Sequence, residues 1–210
     1  MTTARPNADI LTLRCHCGRL RGRVDASSSG RRRPGLHVVC YCDDCRAFVR
    51  ALKRPELLDR FGGSAVWQTT PARITLDTGR EQLACLKLSD KGMLRFHSAC
   101  CATPIGNALG AGWPFVGLLR ACLEVDDASA QRLFGAPTHV HGRLALGDVS
   151  AFAEPRASLR TIARTVGFLL RARLAGAQRP TAFFDAAGRP VVTPRVLSGA
   201  ERDALRAADR

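Results

Sequence analysis

Seven of the nine cysteines in this sequence fall into three tight clusters. A thiolate is a soft and strong ligand for zinc, and cysteines two or three positions apart on a tight turn can bind the same ion. The clusters therefore predict that the chain folds around zinc. Their members are Cys15 and Cys17 in the first cluster, Cys40, Cys42 and Cys45 in the second, and Cys100 and Cys101 in the third.

The clustered thiols divide naturally as four plus three, which suggests two zinc sites of different kinds. A structural zinc usually takes four protein ligands, whereas a catalytic zinc keeps three and leaves one position open. The first and third clusters together supply a closed site, for which His97 is a further candidate ligand. The middle cluster supplies either an open site or a three-thiolate site that recruits a fourth, structural ligand.

An open zinc site on the middle cluster would have a definite chemistry. A thiol bound to zinc loses its proton near neutral pH and becomes a usable nucleophile. Such a nucleophile can add to an electrophilic aldehyde. A helix that begins at Cys45 would also direct its backbone N–H groups toward the sulfurs and favour the thiolate form.

The composition limits the classes of partner. The 210-residue chain is 46% hydrophobic, which suffices for a core and predicts one domain with an extension, or two small domains. Its net charge is +14, and nearly all of the basic residues are arginines. An anionic partner would suit this charge, but a genome that favours arginine codons is the preferred explanation. With one tyrosine and two tryptophans there is no obvious platform for stacking bases, so nucleic acid is not favoured as a partner.

No apolar run in the sequence approaches the roughly 20 residues that span a bilayer, so no transmembrane segment is expected. The N-terminus also lacks the apolar core of a signal peptide. We therefore expect a cytoplasmic protein, in which reducing conditions favour metal or redox roles for cysteine over structural disulfides.

Apolar alternation and regularly spaced turns predict a mainly β protein. Two short strands are expected between Ile10 and Val24, with a zinc-knuckle-like turn at the first cysteines. A strand over 36–39 leads into the second cluster, a short helix covers 45–52, and a meander of strands fills 64–96. Residues 103–107 are expected to form a turn, and 110–119 a glycine-rich loop followed by a strand.

The remaining sequence predicts a helix–hairpin–helix extension over 151–210 that packs on a zinc-binding domain over 11–150, after a flexible tail over 1–10. The helix over 156–175 is amphipathic and basic, so it could lie on an anionic membrane, but packing of its apolar face on the core is favoured. A β-hairpin is expected over 183–192, and Ser198 with Glu201 forms the capping box of a final helix.

The three cysteine motifs resemble those of the glutathione-dependent formaldehyde-activating enzymes, a family that includes centromere protein V. The resemblance covers about residues 11–125 and depends on Cys-x-Cys-Gly at 15–18, Cys-x-Cys-x-x-Cys-Arg at 40–46, and Cys101 followed by Thr103 and Pro104. It implies a β-tent fold of small antiparallel sheets with two zinc ions. One ion would be structural, between the first and last clusters, and the other would lie on the middle cluster and act in forming S-hydroxymethylglutathione.

The chain departs from this family pattern at the third cluster, where the family motif typically reads Cys-x-x-Cys-Gly-Thr-Pro. Ser98 occupies the place of the first cysteine, and Ala102 that of the glycine. Cys100 or His97 could supply the missing ligand. Residues after about 150 have no counterpart in the family pattern, so the chain looks like a divergent, extended member.

Two functional hypotheses follow from these residues. In the first, the protein is a carbon–sulfur lyase in which Cys40, Cys42 and Cys45 hold the catalytic zinc, glutathione or a similar thiol adds to formaldehyde or another aldehyde, and Arg46 is the first candidate to bind the thiol's carboxylates. In the second, the protein is a non-catalytic zinc module that contacts an anionic partner through its arginines.

Several other residues have plainer expected roles. Cys85 and Cys122 lie in apolar, strand-like contexts and are expected to be buried and inert. His139 and His141 alternate along a possible strand and could face one site, although an exposed strand edge is favoured.

Overall fold

The fold was analysed from a computed structural model, which describes residues 9–28, 33 and 35–207. Most of the predicted tail over 1–10 therefore lies outside the described residues. The strands are β1 (Ile10–Arg14), β2 (Arg21–Asp25), β3 (Leu36–Cys40), β4 (Ser64–Thr69), β5 (Ile74–Thr78), β6 (Leu83–Lys87), β7 (Leu94–Ser98), β8 (Pro104–Ala108), β9 (Val116–Leu119), β10 (Leu123–Glu124), β11 (Thr138–Val140) and β12 (Arg195–Val196). The α-helices are α1 (Asp43–Ala51), α2 (Asp127–Phe134), α3 (Leu159–Leu174) and α4 (Gly199–Ala207).

The strands form two sheets, which confirms the prediction of a mainly β protein. Within the described residues, β10–β1–β2–β5 make a four-stranded antiparallel sheet, and β11–β3–β4–β9–β8–β7–β6–β12 make an eight-stranded sheet. The larger sheet is mixed, because β11 and β12 add to its two edges in parallel. In β1 and β2 every second side chain is buried, so one face of the small sheet packs on the core.

The main hydrophobic cluster includes residues of both sheets. Leu13 and Val24 of the small sheet belong to the same cluster as Phe96 and Ile105 of the large one. A second cluster combines the large sheet with α1, where Phe48 joins Val66 among its buried residues. The middle strands β8 and β9 are buried along their whole length, which is the burial expected of strands covered on both faces.

One strand of this core contradicts the sequence prediction. Residues 103–107 were expected to form a turn, but β8 pairs with both β7 and β9. Pro104 is accommodated because it is the first residue of the strand, where a missing N–H is tolerated. The strand pairing and complete burial outweigh the local turn signals. Helix α2 was not anticipated, although Asp126 caps it by accepting a hydrogen bond from the Ser129 N–H.

The residues after 150 pack on the two sheets, since β12 pairs with β6 and Phe183 joins the main cluster. Phe183 is fully buried, and its ring lies 4.7 Å from that of Phe96. The segment over 183–192 folds back on itself through a bridge between Phe184 and Pro190, where a hairpin was predicted. The predicted capping box of the last helix is confirmed, since Ser198 Oγ accepts from the Glu201 N–H at 3.2 Å and the Glu201 carboxylate accepts from the Ser198 N–H at 2.8 Å.

Helix α3 differs from its expected packing. The apolar face was expected to lie on the core, yet Ala172 is the one buried residue of this helix. Five of its seven large apolar residues are exposed, and Phe168 and Leu169 are half-buried. No helix among the described residues is long and apolar enough to cross a membrane.

We predict that Phe183→Ala lowers the free energy of unfolding by about 3–5 kcal/mol, because it removes a fully buried aromatic ring from the main cluster. Urea denaturation followed by circular dichroism measures this change. Leu159→Ala, at an exposed position after residue 150, serves as the control and should change stability by no more than about 0.5 kcal/mol. Equal effects of the two substitutions would contradict the assignment of residues 182–184 to the common core.

Candidate metal centres

The seven clustered thiols come together in two groups that can each hold a metal ion, as the four-plus-three division predicts. The first group contains Cys15, Cys17, Cys100 and Cys101, whose sulfur atoms all lie within 4.8 Å of one another. Individual separations are 3.6 Å from Cys15 to Cys17, 3.7 Å from Cys15 to Cys100, and 3.3 Å from Cys17 to Cys100. Cys100 therefore belongs to the same group as Cys101, and His97 belongs to neither group.

Two tight turns bring these four thiols together across the sheets. The β1–β2 turn carries Cys15 and Cys17, and it closes through Gly18, whose φ of 76° lies in the left-handed region. The β7–β8 turn carries the other two cysteines, and it is closed by the Ser98 N–H donating to the Thr103 carbonyl at 2.9 Å. The two turns are joined by the His16 N–H, which donates to Thr103 Oγ1 at 2.8 Å.

Hydrogen bonds to sulfur lower the pKa values of Cys15 and Cys101 in this four-thiol group, whereas desolvation and the neighbouring thiols raise the pKa of Cys100 to about 12. The Leu20 N–H donates to Cys15 Sγ at 3.3 Å, and the Cys17 N–H donates to Cys101 Sγ at 3.4 Å. Ser98 Oγ and Thr103 Oγ1 each lie 3.3 Å from Cys101 Sγ. Although desolvation raises the pKa of Cys101, these hydrogen bonds outweigh it and lower the pKa to about 5. Ser98 thus contributes to the low pKa of Cys101.

The second group contains Cys40, Cys42 and Cys45, at the end of β3 and the start of α1. The helix begins two residues earlier than predicted, at Asp43, so Cys42 is its N-cap residue. Hydrogen bonds from the thiols of Cys40 and Cys45 and from the Cys45 N–H lower the pKa of Cys42. The pKa values of Cys40 and Cys45 are raised, since both thiols share hydrogens with the ionised Cys42. Among the described residues, no fourth cysteine, histidine or carboxylate joins this group.

Arg46, which is expected to bind the carboxylates of a thiol, bonds to neighbouring parts of the protein. Its side chain is buried, and its guanidinium donates to the carbonyl of Tyr41 at 2.8 Å, to the carbonyl of Leu144 at 2.5 Å, and to Asp43 Oδ1 at 2.6 Å. These bonds hold the chain around the three-thiol group in place. Arg46 therefore fixes the loop and the helix that carry the three thiols, and its binding of a thiol's carboxylates stays a prediction.

A second buried arginine, Arg95 on β7, was missed by the sequence reasoning. Its charge contributes to lowering the pKa of Cys42. Its guanidinium lies over the ring of Phe48 at 5.4 Å, and Nε has no hydrogen-bond partner. Arg95 is separated from Cys42 by 53 positions, and no local sequence signal connects them.

The third cluster is anchored from the far end of α1. Arg54 donates from Nη1 to the Cys101 carbonyl at 3.0 Å, and it also pairs with Glu56. Because α1 begins at the three-thiol group, this contact links the segment after the helix to the four-thiol group. The two cysteine groups are thus connected through α1 and the segment that follows it.

The remaining cysteines and histidines lie apart from both groups. Cys85 and Cys122 are buried as expected, and burial raises their pKa values to about 11 and about 12. His139 lies on the edge strand β11, where its Nδ1 is 3.0 Å from the Tyr41 hydroxyl. His141 follows the strand with a left-handed φ of 62°, so the two histidines do not form the pair that their alternation suggested.

These observations define the chain as a mainly β protein with two cysteine groups that can hold metal. Residues 7–194 match the profile of DUF6151, a family of unknown function, and the chain belongs to that family. No curated protein sequence matches the chain. A crystal structure of a Rhodobacter sphaeroides protein from a structural genomics programme is similar at a TM-score of 0.40 and 15% identity, covering 61% of this chain and 99% of that one.

Ala102 has a strained backbone next to the four-thiol group. Its φ of 52° lies in the left-handed region, which glycine adopts without penalty. The methyl group of Ala102 packs against the cluster around α1.

We predict that Ala102→Gly raises the free energy of unfolding by roughly 0.5–1 kcal/mol, because relief of the left-handed strain exceeds the added entropy of the unfolded chain. Thermal and urea denaturation measure the change. Ala99→Gly, in the same turn but without a left-handed φ, is the matched control and should lower stability or leave it unchanged. A loss of stability in Ala102→Gly as large as in the control would contradict this interpretation.

Proposed function

We propose that this protein binds two zinc ions and is a carbon–sulfur lyase that adds a small thiol, such as glutathione, to formaldehyde or another aldehyde. The observation that carries the proposal is the three-thiol group of Cys40, Cys42 and Cys45, which no fourth protein ligand joins among the described residues. Three protein ligands are the number that catalytic zinc sites use, whereas the four-thiol group has the number used by structural sites.

The donor sets suit zinc. Both groups consist only of thiols, which select soft or borderline metals. With Zn–S bonds of about 2.3 Å, the sulfurs of a tetrahedral site are about 3.8 Å apart. Four of the six sulfur–sulfur separations in the four-thiol group run from 3.3 to 3.9 Å, and all six are within 4.8 Å. A slight expansion of the closest pair would accommodate the ion.

A zinc ion held by the three-thiol group would lower the pKa of an incoming thiol, so that it is a nucleophile at neutral pH. Residues around the three-thiol group would support such an ion. Arg46 holds the loop and helix that carry the cysteines, and the helix N-terminus supplies the Cys45 N–H to Cys42. The buried charge of Arg95 offsets part of the negative charge on three thiolates.

We further propose that the two sheets correspond to the β-tent fold of the formaldehyde-activating enzymes. Support comes from the pairing of the first cysteine cluster with the third, which the resemblance implied, and from the separation of the middle cluster. All nine cysteines are free thiols, which fits the reducing, cytoplasmic location expected from the sequence.

We predict two zinc ions per chain, of which the one on the three-thiol group is labile. Dialysis against glutathione, followed by elemental analysis, should remove one ion and leave the other. Cys42→Ser should contain only the tight ion, and Cys85→Ala, which alters a buried thiol outside both groups, should keep both. Retention of both zinc ions after dialysis would contradict the open-site hypothesis.

We predict that the purified protein accelerates the reversible addition of glutathione to formaldehyde, which forms S-hydroxymethylglutathione. Exchange NMR at equilibrium measures this rate. Cys42→Ser should reduce the rate to the uncatalysed background, because it removes a ligand of the proposed catalytic zinc. Cys85→Ala is again the matched control and should retain the activity. A rate that is insensitive to Cys42→Ser would exclude this role for the middle group.

The alternative is a non-catalytic zinc module that binds an anionic partner, and it is favoured by the net charge of +14. Two tightly held ions, no acceleration of exchange, and salt-sensitive binding to random DNA at micromolar protein would together support this alternative.

A further inference from the structure

Helix α3 presents its apolar side to solvent. Five large apolar residues recur at intervals of three or four positions, which places them on one face at about 100° per residue. Their side chains are between 47% and 88% exposed. We call this face the outer stripe, and it consists of Leu159, Ile162, Val166, Leu170 and Leu174.

The opposite side of α3 faces the protein and combines small and polar residues with the half-buried Phe168. Ala172 is buried, and Thr161 and Thr165 are half-buried. Thr161 donates to the Glu154 carboxylate at 2.8 Å, and Ser158 donates to the same carboxylate while capping the helix. At the other end, Arg173 donates to the Gly112 carbonyl at 2.6 Å. These contacts orient the helix with its outer stripe away from the core.

The charge around the outer stripe has a single sign. From Pro155 to Phe184 the sequence contains six arginines and no aspartate or glutamate. Arg160, Arg164 and Arg171 are exposed and follow one another along one flank of the stripe. On that flank, Arg164 and Arg171 line a groove of about 390 Å³ together with Arg33, and none of the described carboxylates lines it.

The other flank of the outer stripe carries an exposed tryptophan. Trp113 is half-exposed on the loop that Arg173 contacts. It lines an apolar cleft with Val166 and Leu170. Tryptophan at the boundary between apolar and polar surroundings is typical of proteins that contact the membrane interface.

We propose that the outer stripe docks on the surface of a membrane that contains anionic lipids. The stripe and Trp113 would enter the boundary of the acyl chains, and the arginine row would lie at the level of the phosphates, as in other interfacial amphipathic helices. A second copy of the chain fits less well, because pairing two such faces brings like charges together. Nucleic acid would match the arginines but leave five apolar side chains without a partner.

Flotation with lipid vesicles tests this docking. The full chain should bind vesicles of phosphatidylcholine with 30% phosphatidylglycerol and should not bind phosphatidylcholine alone. Leu170→Glu combined with Ile162→Glu should lower the binding constant at least tenfold. Leu146→Glu, at an apolar residue of similar exposure outside α3, is the matched control and should bind like the unmodified chain.

The charge contribution is tested in the same assay. Arg160→Gln and Arg164→Gln should each weaken binding about fivefold, since a basic residue at an anionic surface contributes about that factor. Arg19 is an exposed arginine on the β1–β2 turn, distant in sequence from α3, and Arg19→Gln should leave vesicle binding unchanged.

Three outcomes would overturn the proposal: absence of binding to the anionic vesicles, binding that survives the double glutamate variant, or a dimer in solution that this variant dissociates. Circular dichroism of each variant shows that the fold is retained, which is expected because the substituted side chains are exposed.

Discussion

Mutual repulsion among closely spaced thiolates is the constraint on which this structure depends. Within each of the two cysteine groups, the sulfurs lie within 4.8 Å of one another. At such distances several ionised thiols cannot coexist without a compensating cation. In the three-thiol group the protein distributes the protons unequally, with Cys42 as the most acidic thiol. A bound metal ion would replace those shared protons, which is why metal binding to such groups is coupled to proton release and to folding.

The same constraint explains how distant parts of the chain are joined. The four-thiol group connects the β1–β2 turn of the small sheet to the β7–β8 turn of the large one, across more than eighty positions of sequence. The supporting contacts from Thr103 and Arg54 depend on both turns being in place. A metal ion there would close a long loop and stabilise the packing of one sheet on the other. The three-thiol group spans only six residues, so a metal ion there would close a short loop and add little stability of this kind.

The parts of the site that could be predicted from the sequence are those set by local geometry. Gly18 after Cys17 indicates a tight turn because its left-handed φ favours glycine, and Ser198 with Glu201 indicates a helix start because the two groups bond reciprocally. The roles of Arg46 and Arg95 could not be predicted. Arg46 bonds to Leu144, which is 98 positions away, and Arg95 reaches its surroundings only when β7 pairs in the large sheet. Such burial is a property of the assembled fold.

Helix α3 shows the limit of periodicity most directly. An amphipathic pattern states that a helix has an apolar face, but it does not state what covers that face. Here Phe183 and Phe184, which follow the helix in the chain, occupy the core beside Phe96. The polar bonds of Glu154 to Ser158 and Thr161 hold the first turn with its threonine side inward. Because the core is already filled and polar contacts orient the helix, no described part of the chain covers the outer stripe.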